Sequence, residues 1–452
     1  MAPSELQGGN GLPSGPIRLS PLENLLCLVY DRFEGEGMGA MVMKVRGRIE
    51  AEPLRIALSN LQRRHPKLRA RVVESADGHR YFQVDDPPPP IPIEIQDCEG
   101  EPLPWKEETH RRFAQQIDVA AGPLARMLVL RSRSGESCYA VLLAHHAIFD
   151  GLSLLHTIDD LFRYYEAAEQ KESPAPVASL PFVSCPRARP TGSMLGRLGV
   201  LARSVRLRRA KSRRRWTRLP GPEGTPSRPQ WDVRVFSVEE TVALARRCRQ
   251  EKTSLEGALF AAAVSALRVL LPPSEWRFQF LFPIDIRPQL EGPTGPVTAA
   301  DMGCFVSAFE KIYAVHPRTP FWSLARELHR DVRAFIAAGG PSLVYNLVRF
   351  AKAPVHSEGQ LRGTLHSSVI GVAPLEKSYG SLSLEECAQI YKNDRGGTSI
   401  NIVAIILQLR LNLTVHAADL PEEFWRRFRE GMVEQLRASI EASRPEPAVA
   451  TR

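Results

Sequence analysis

The sequence predicts an α/β protein made of two lobes, with mixed sheets and helices packed outside them. At 452 residues the chain is too long for one ordinary hydrophobic core. Apolar patterns typical of strands and of helices follow one another along most of its length. A stretch rich in Pro, Gly, Ser and Arg at about 182–230 divides the chain into two halves.

These observations predict five segments. We expect an N-terminal lobe over residues 17–181, a basic crossover linker over 182–230 and a C-terminal lobe over 231–443. The two ends, residues 1–16 and 444–452, are rich in small residues and Pro, and we expect them to be disordered tails.

In the N-terminal lobe, predicted strands and helices alternate. The helix predicted at 53–64 carries its apolar residues on one face. In chain order we expect a strand at 41–45, a helix at 53–64, strands at 69–73 and 81–84, a helix at 105–116 and a strand at 139–144.

The C-terminal lobe contains two helix starts with typical capping residues. Ser254 is an N-cap followed by Glu256 in the first turn, and Pro320 is expected at the first position of another helix. We expect a strand at 232–237, a helix at 254–271, a strand at 276–283, a helix from 319 to about 338, strands within 400–415 and an amphipathic helix at 421–442. One basic helix is also expected in the linker, near 194–216.

The bulk composition, 43% hydrophobic and 24% charged, is typical of a soluble globular protein. The nearest approach to a membrane span, residues 258–271, is too short and is interrupted by Arg268, so no transmembrane segment is expected. The first residues lack the pattern of a secretory signal. The seven cysteines stand singly, which indicates reduced thiols in the cytoplasm and argues against a zinc site or a disulfide framework. For Cys304, a buried wall residue is favoured over a nucleophile.

The net charge of +9 is concentrated in one basic run. Such a run could bind nucleic acid, an acidic membrane or an acidic protein, or it could be a solvated linker. No nucleic-acid-binding motif accompanies it, so no nucleic-acid partner is expected. We favour attraction of an anionic donor, either the phosphates of coenzyme A or the acidic face of an acyl-carrier protein. The run comprises Arg203, Arg206, Arg208, Arg209, Lys211, Arg213, Arg214, Arg215 and Arg218.

The most informative segment is His-His-Ala-Ile-Phe-Asp-Gly at 145–151. It follows the buried strand predicted at 139–144, and helical spacing of apolar residues follows it, so Asp150 and Gly151 are expected at a strand-to-helix turn. An imidazole held there can act as a general base, because its ordinary pKa suits proton abstraction near neutral pH. Glycine leaves space where a substrate approaches the backbone. The segment therefore predicts general-base catalysis inside a tunnel.

This His-His-x-x-x-Asp-Gly pattern resembles the signature of the chloramphenicol-acetyltransferase-like superfamily, which includes condensation domains and polyketide-associated acyltransferases. Three flanking segments resemble the same family in order and spacing: Leu-Ser-Pro-Leu-Glu at 19–23, Arg-His-Pro-Lys-Leu-Arg at 64–69 and Gly-Pro-Leu-Ala-Arg at 122–126. The resemblance implies two lobes that form a V with a central tunnel, where donor and acceptor enter from opposite faces and meet at His146.

The resemblance also implies an O-acyltransferase. An acyl group would pass from a coenzyme A or carrier-protein thioester to a hydroxyl of a secondary metabolite or lipid, without a covalent acyl-enzyme. The thioester is then a co-substrate, and neither a cofactor nor a metal is expected. We expect a monomer, because each chain supplies both lobes. The single cysteines place it in the cytoplasm.

His146 and Asp150 are the residues assigned to catalysis. His146 is predicted to be the general base. Asp150 could orient His146 as in a triad, or it could pin the turn through a salt bridge. The family resemblance favours the salt bridge, with Arg287 in the Pro-Ile-Asp-Ile-Arg-Pro segment at 283–288 as its partner.

Three further residues are expected to support the site. His145 should point away from His146, because successive side chains on a strand face opposite sides, and it is predicted to be structural. Gly151 is expected to give clearance at the tunnel mouth. Ser368 is a candidate oxyanion donor, although Val369 replaces the Asn that is usual beside it in the family.

Other functions fit the same motif. A freestanding condensation enzyme would use the same base to form an amide, and only the acceptor's nucleophile separates the two reactions. A noncatalytic carrier-docking module would keep the fold without the chemistry, although the intact His146, Asp150 and Gly151 argue against it. A nucleic-acid binder would show tight, salt-dependent binding to DNA or RNA.

Overall fold

The computed structural model describes most of both predicted lobes. The described residues are 13, 15–76, 78–172, 177–184, 187–212, 217, 219–221, 230–350, 364–392, 399–418 and 420–441. The tail predicted at 444–452 lies outside them, as does the tail at 1–16 except for residues 13, 15 and 16. Cys185 and the part of the basic run at 213–216 and 218 also lie outside the described residues.

Strands and helices alternate through the first half of the chain. They are β1 (Ile17–Arg18), α1 (Pro21–Arg32), β2 (Met38–Arg46), α2 (Ala51–Arg64), β3 (Ala70–Glu74), β4 (Arg80–Val84), β5 (Ile93–Cys98), α3 (Trp105–Ala114), β6 (Ala125–Ser132), β7 (Ser137–His145) and α4 (Gly151–Glu169).

The second half begins with the linker helix. Its elements are α5 (Met194–Ser212), β8 (Gln230–Val235), α6 (Val238–Gln250), α7 (Leu255–Leu270), β9 (Trp276–Asp285), β10 (Glu291–Gly292), β11 (Gly295–Pro296), β12 (Val306–Val315), α8 (Phe321–Ala337), α9 (Gly340–Leu347), β13 (Thr364–Val372), β14 (Ser378–Tyr379), β15 (Leu382–Tyr391), β16 (Ser399–Leu407), β17 (Arg410–Ala417) and α10 (Glu422–Glu441).

Each lobe is built on one large mixed sheet. The N-terminal sheet has the order β14-β15-β2-β7-β6-β5, and the C-terminal sheet has the order β12-β9-β13-β16-β17-β8. The face of the C-terminal sheet that carries Val403 and Ile405 packs into the same apolar cluster as Met41 and Leu142 of the N-terminal sheet. The opposite face packs under the outer helices, among them the almost wholly buried α7. The seam between the lobes therefore lies on one defined face of the C-terminal sheet.

The predicted boundary of the C-terminal lobe is wrong for β14 and β15. Both strands lie within the predicted lobe at 231–443, yet β15 pairs antiparallel with β2 of the N-terminal sheet, from Ser383 opposite Arg46 to Tyr391 opposite Gly39. The chain thus crosses back to the first lobe before it completes the second. Strand pairing between segments so far apart leaves no local signal in the sequence, because it depends on tertiary packing.

The flanking segments of the family resemblance have structural roles in the N-terminal lobe. Lys67 and Glu23, which come from two of these segments, form a buried ion pair. His65 is fully buried, and its Nε2 lies 2.8 Å from Asp160 on α4. These contacts tie α1 and the end of α2 to the helix that follows the histidine motif. Two of the segments that carry the resemblance therefore brace the N-terminal lobe around the histidine motif.

The linker helix α5 is packed against the C-terminal lobe. The Arg203 guanidinium lies 4.3 Å from the centre of the Phe309 ring and donates to the Glu310 carbonyl oxygen at 3.0 Å. Arg203 is therefore fixed to the protein, which corrects its assignment to a basic run available to an anionic donor.

Within the described ranges, no single helix has the length and apolarity to cross a membrane. The bent pair Val238–Gln250 and Leu255–Leu270 meets both criteria when its two helices are taken together.

Candidate active site

The histidine motif lies where β7 gives way to α4. β7 ends at His145, a short 3₁₀ turn covers His146–Ile148, and α4 begins at Gly151. Asp150 is the N-cap of α4: its carboxylate accepts from the Ser153 N–H at 2.9 Å, and its own N–H donates to Ser153 Oγ at 3.0 Å. The predicted strand-to-helix turn is therefore present, and a reciprocal capping box fixes it.

The His146 ring is held by one hydrogen bond and two aromatic neighbours. Its Nδ1 lies 2.9 Å from the Phe149 carbonyl oxygen. A carbonyl oxygen can only accept, so Nδ1 carries the hydrogen and Nε2 keeps a free lone pair. The ring stacks between Phe149 at 4.8 Å and Tyr391 at 5.2 Å, measured between ring centres. This arrangement presents Nε2 as a proton acceptor.

Burial lowers the pKa of His146 below its ordinary value of 6.5, and the bond to the Phe149 carbonyl opposes that shift only in part. The neutral ring is therefore the dominant form at neutral pH, as a general base requires.

His145 occupies a different environment from His146. It is fully buried, its ring centre lies 4.5 Å from that of Tyr30, and its Nδ1 accepts from the Ala147 N–H at 3.1 Å. Burial lowers its pKa to about 3. The strand-alternation argument does not apply at this point, because the chain has left β7 at His146. The two rings nevertheless face different surroundings, as predicted.

Asp150 is locked to the C-terminal lobe by an ion pair. Arg287 Nη2 donates to Asp150 Oδ1 at 2.9 Å, and both side chains are buried. The Phe305 N–H donates to Oδ2, also at 2.9 Å. Burial alone would raise the pKa of Asp150, but the guanidinium and these donors hold it below its usual value. The carboxylate is therefore charged, and the predicted Asp150–Arg287 pair is present.

The triad interpretation of Asp150 is not supported by this geometry. The carboxylate oxygens are directed to Ser153, Arg287 and Phe305, whereas the Nδ1 of His146 is bound by a backbone carbonyl. Asp150 positions the turn and does not orient the histidine ring directly. Its assignment as a catalytic residue is corrected to that of a positioning residue.

Gly151 leaves space for two neighbouring side chains of the protein, whereas the prediction was space at the mouth of a substrate tunnel. A Cβ at Gly151 would lie 2.7 Å from Ile370 Cδ1 and 2.9 Å from Gln389 Oε1. Ile370 is on β13 of the C-terminal sheet, and Gln389 is on the crossing strand β15. The glycine therefore allows three elements from both lobes to meet beside the histidine turn.

Ser368 faces the seam between the lobes. It is half-buried on β13 and pairs with Val403, whose side chain packs into the N-terminal core. Two residues after Ser368 on the same strand comes Ile370, which lies next to Gly151. The pairing of β13 with β16 shifts register between Val369 and Gly371. The structure thus brings the Ser368 strand to the histidine turn, while the role of its hydroxyl as an oxyanion donor stays a prediction.

A row of polar side chains on the same seam was missed by the sequence reasoning. His366, Asn401 and His416 are register partners on β13, β16 and β17. The His416 ring centre lies 6.3 Å from that of Tyr391. Among the described residues, neither His416 Nε2 nor Asn401 Nδ2 has a hydrogen-bond partner. Buried polar atoms of this kind are normally satisfied by a ligand or by water.

No local sequence signal could have placed Tyr391 beside His146, because its position depends on the pairing of β15 with β2. The polar row likewise depends on the register of three strands.

Neither a nucleophilic cysteine nor a metal site is found among the described residues. Cys304 is buried in the loop that holds Asp150, and burial raises the pKa of its thiol, which suits a wall residue. Within the part of the chain that is described, no group of three or more His, Cys, Asp or Glu side chains is arranged to hold a metal ion.

Comparison with known proteins finds family models that match two different parts of the chain. Residues 38–183 match the condensation domain, and residues 225–401 match the phthiocerol/phthiodiolone dimycocerosyl transferase C-terminus. The chain is 24% identical to the phthiocerol/phthiodiolone dimycocerosyl transferase of Mycobacterium bovis over 328 residues, which are 66% of this chain and 70% of that protein.

Chondramide synthase cmdD of Chondromyces crocatus is 23% identical over 372 residues, which are 77% of this chain. The chain spans only 9% of that synthase's length. Among solved structures, the trichothecene 15-O-acetyltransferase from Fusarium sporotrichioides aligns with a TM-score of 0.74 at 12% identity and covers 97% of this chain and 99% of its own. The predicted two-lobed α/β fold is confirmed.

We predict that Arg287→Ala destabilises the protein. The substitution leaves the Asp150 carboxylate charged and buried without its cation, which typically costs about 3–5 kcal/mol. Chemical denaturation measures this loss as a fall in the free energy of unfolding. Arg277→Ala, at a partly exposed arginine of β9, is the matched control and should change that free energy by less than about 0.5 kcal/mol. Equal stability of the two variants would contradict the role of the pair.

We predict that Gly151→Ala folds but disturbs the seam. The new methyl group meets the flexible ends of Ile370 and Gln389, which can shift at a cost of about 1–3 kcal/mol. The free energy of unfolding should fall within that range, and Gly151→Ala/Ile370→Val should recover part of it. A double variant no more stable than Gly151→Ala would show that Ile370 is not the limiting contact.

Proposed function

We propose that this chain, whose two parts match the condensation domain and the dimycocerosyl transferase C-terminus, is an O-acyltransferase of the chloramphenicol-acetyltransferase-like superfamily with His146 as general base. The donor is a coenzyme A or carrier-protein thioester. The acceptor is a hydroxyl of a secondary metabolite or lipid. The protein would act as a monomer in the cytoplasm, where its described cysteines, all free, would stay reduced.

One observation carries the proposal: the Phe149 carbonyl fixes the hydrogen of His146 on Nδ1. The opposite ring nitrogen is left as a base at the seam between two lobes, where separate donor and acceptor molecules can meet. Stacking between Phe149 and Tyr391 prevents the ring from turning over, so the basic nitrogen keeps its direction.

The proposed reaction needs no other catalytic base. His146 Nε2 removes the proton from the acceptor hydroxyl as its oxygen forms a bond to the thioester carbonyl carbon. The tetrahedral intermediate carries its negative charge on the former carbonyl oxygen, where Ser368 is the candidate donor. When the intermediate collapses, the carbon–sulfur bond breaks and the thiolate receives the proton held on Nε2. The products are an ester and a free thiol, and the imidazole is neutral again.

Ester formation is favoured over amide formation by the match of the C-terminal half. That half matches a transferase family, and a transferase is among the relatives that align over most of their own length. The similarity to chondramide synthase and to condensation domains supports the amide alternative, which uses the same base.

The decisive experiment measures thiol release from a panel of acyl-coenzyme A thioesters with alcohol and amine acceptors of matched shape. His146→Ala should lower acceptor-dependent release by about 10²–10⁴-fold, because it removes the base. His316→Ala, at an exposed histidine after β12, is the matched control and should behave like the wild type. Product mass separates ester from amide.

Equal release by wild type and His146→Ala would contradict the general-base assignment. Absence of release from coenzyme A donors would be followed by the same assay with acyl groups loaded on a carrier protein. Absence of release there too, from a folded wild type, would favour a carrier-docking module and overturn the proposal.

We predict that activity persists below the ordinary titration range of histidine. His146 is active when neutral, and burial lowers its pKa below 6.5. The acid limb of the pH profile of kcat/KM should therefore have its midpoint below pH 6.5, with a plateau at neutral pH. An acid limb centred at or above pH 6.5 would show that the imidazole is not desolvated as described.

A further inference from the structure

Among the described residues, helix α5 packs on the C-terminal lobe with one face. Val200 is buried, and Arg203 donates to the Glu310 carbonyl oxygen. A Cβ on Gly196 would lie 3.2 Å from the Ala338 backbone. These three positions recur at intervals of four and three residues, so they define the inner face of the helix.

The outer face of α5 carries large apolar side chains that are exposed to solvent. Helical geometry places them on the side opposite Val200 and Arg203. Elsewhere in the described residues, the large apolar side chains that are exposed occur one to an element. A contiguous exposed patch of this kind marks an interaction site. This apolar stripe comprises Met194 (71% exposed), Leu195 (81%), Leu198 (50%), Leu201 (37%) and Val205 (49%).

The same helix carries positive charge without any negative charge. Its sequence contains five Arg and one Lys, and neither Asp nor Glu. Arg206 and Arg209 are exposed. With 3.6 residues per turn, Arg209 lies one turn beyond Val205 on the outer face, and Arg206 lies at the border between the outer and inner faces. Exposed apolar side chains and exposed arginines on one helix are two features that favour binding to the interface of an anionic membrane.

We propose that α5 binds the surface of an anionic lipid bilayer. The apolar stripe enters the headgroup region, and Arg206 and Arg209 lie at the level of the lipid phosphates. The helix lies along the surface and does not span the membrane. The binding does not depend on the acyl-transfer reaction proposed above.

The shape and charge of the stripe favour a bilayer over other occupants. Leu195 and Met194 are the most exposed members of the stripe, and a fluid bilayer can receive such side chains without a complementary groove. A second copy of this chain would bring two cationic faces together, which is unfavourable. An acidic protein would match the charge but would also need a recess for the protruding side chains.

The test is co-sedimentation of the whole protein with vesicles of phosphatidylcholine alone or mixed with phosphatidylglycerol. The wild type should bind the mixed vesicles, and binding should weaken as salt is raised. Leu195→Asp/Leu198→Asp should lower the partition coefficient by at least about tenfold, because it puts charges in the apolar stripe. Arg206→Gln/Arg209→Gln should lower binding to the anionic vesicles by about tenfold or more.

Val269→Asp/Leu409→Asp is the matched control, since both positions are exposed and apolar but lie elsewhere, Val269 on α7 and Leu409 in the turn between β16 and β17. It should bind vesicles like the wild type. Equal binding by the stripe variant, or no vesicle binding by a folded wild type, would overturn the proposal. So would stripe-dependent dimerisation in light scattering, or stripe-dependent binding to an acyl-carrier protein, when vesicles are not bound.

Discussion

The ion pair between Asp150 and Arg287 is the interaction on which the site depends. Asp150 caps α4 with the same carboxylate that receives the Arg287 guanidinium and the Phe305 N–H from the C-terminal lobe. The cap fixes the turn before α4, and the Phe149 carbonyl in that turn fixes the His146 ring. One buried carboxylate therefore couples the arrangement of the lobes to the direction of the nitrogen that we propose as the general base.

Burial and hydrogen bonding give the two adjacent histidines different roles, one structural and one proposed for catalysis. His145 is sealed in the N-terminal core against Tyr30, and burial keeps it neutral far below neutral pH. His146 is only half-buried, and its basic nitrogen points away from the carbonyl that holds Nδ1. The crossing strand β15 supplies Tyr391 as the second aromatic wall. The surroundings of the proposed general base therefore come from the histidine turn and from a strand that is distant in sequence.

Local pattern and family resemblance predicted the histidine turn, the start of α7 at its Ser254 cap, and the pairing of Asp150 with Arg287. They could not predict that β15 joins the N-terminal sheet, because a strand's partner is set by packing across the whole chain. Tyr391, Gln389 and the polar row on the seam were missed for that reason. The sequence shows only that α5 is a basic helix. Its outer face can be distinguished because Arg203 packs on the C-terminal lobe and so defines the inner face.

The central claim is that His146 is neutral at neutral pH, with hydrogen on Nδ1 and a lone pair on Nε2. Nitrogen NMR of histidine-labelled protein tests it directly, with the His146 signals assigned by comparison with His146→Gln. The account predicts a protonated Nδ1 and an unprotonated Nε2 at pH 7. A hydrogen on Nε2 at that pH, alone or together with one on Nδ1, would contradict it.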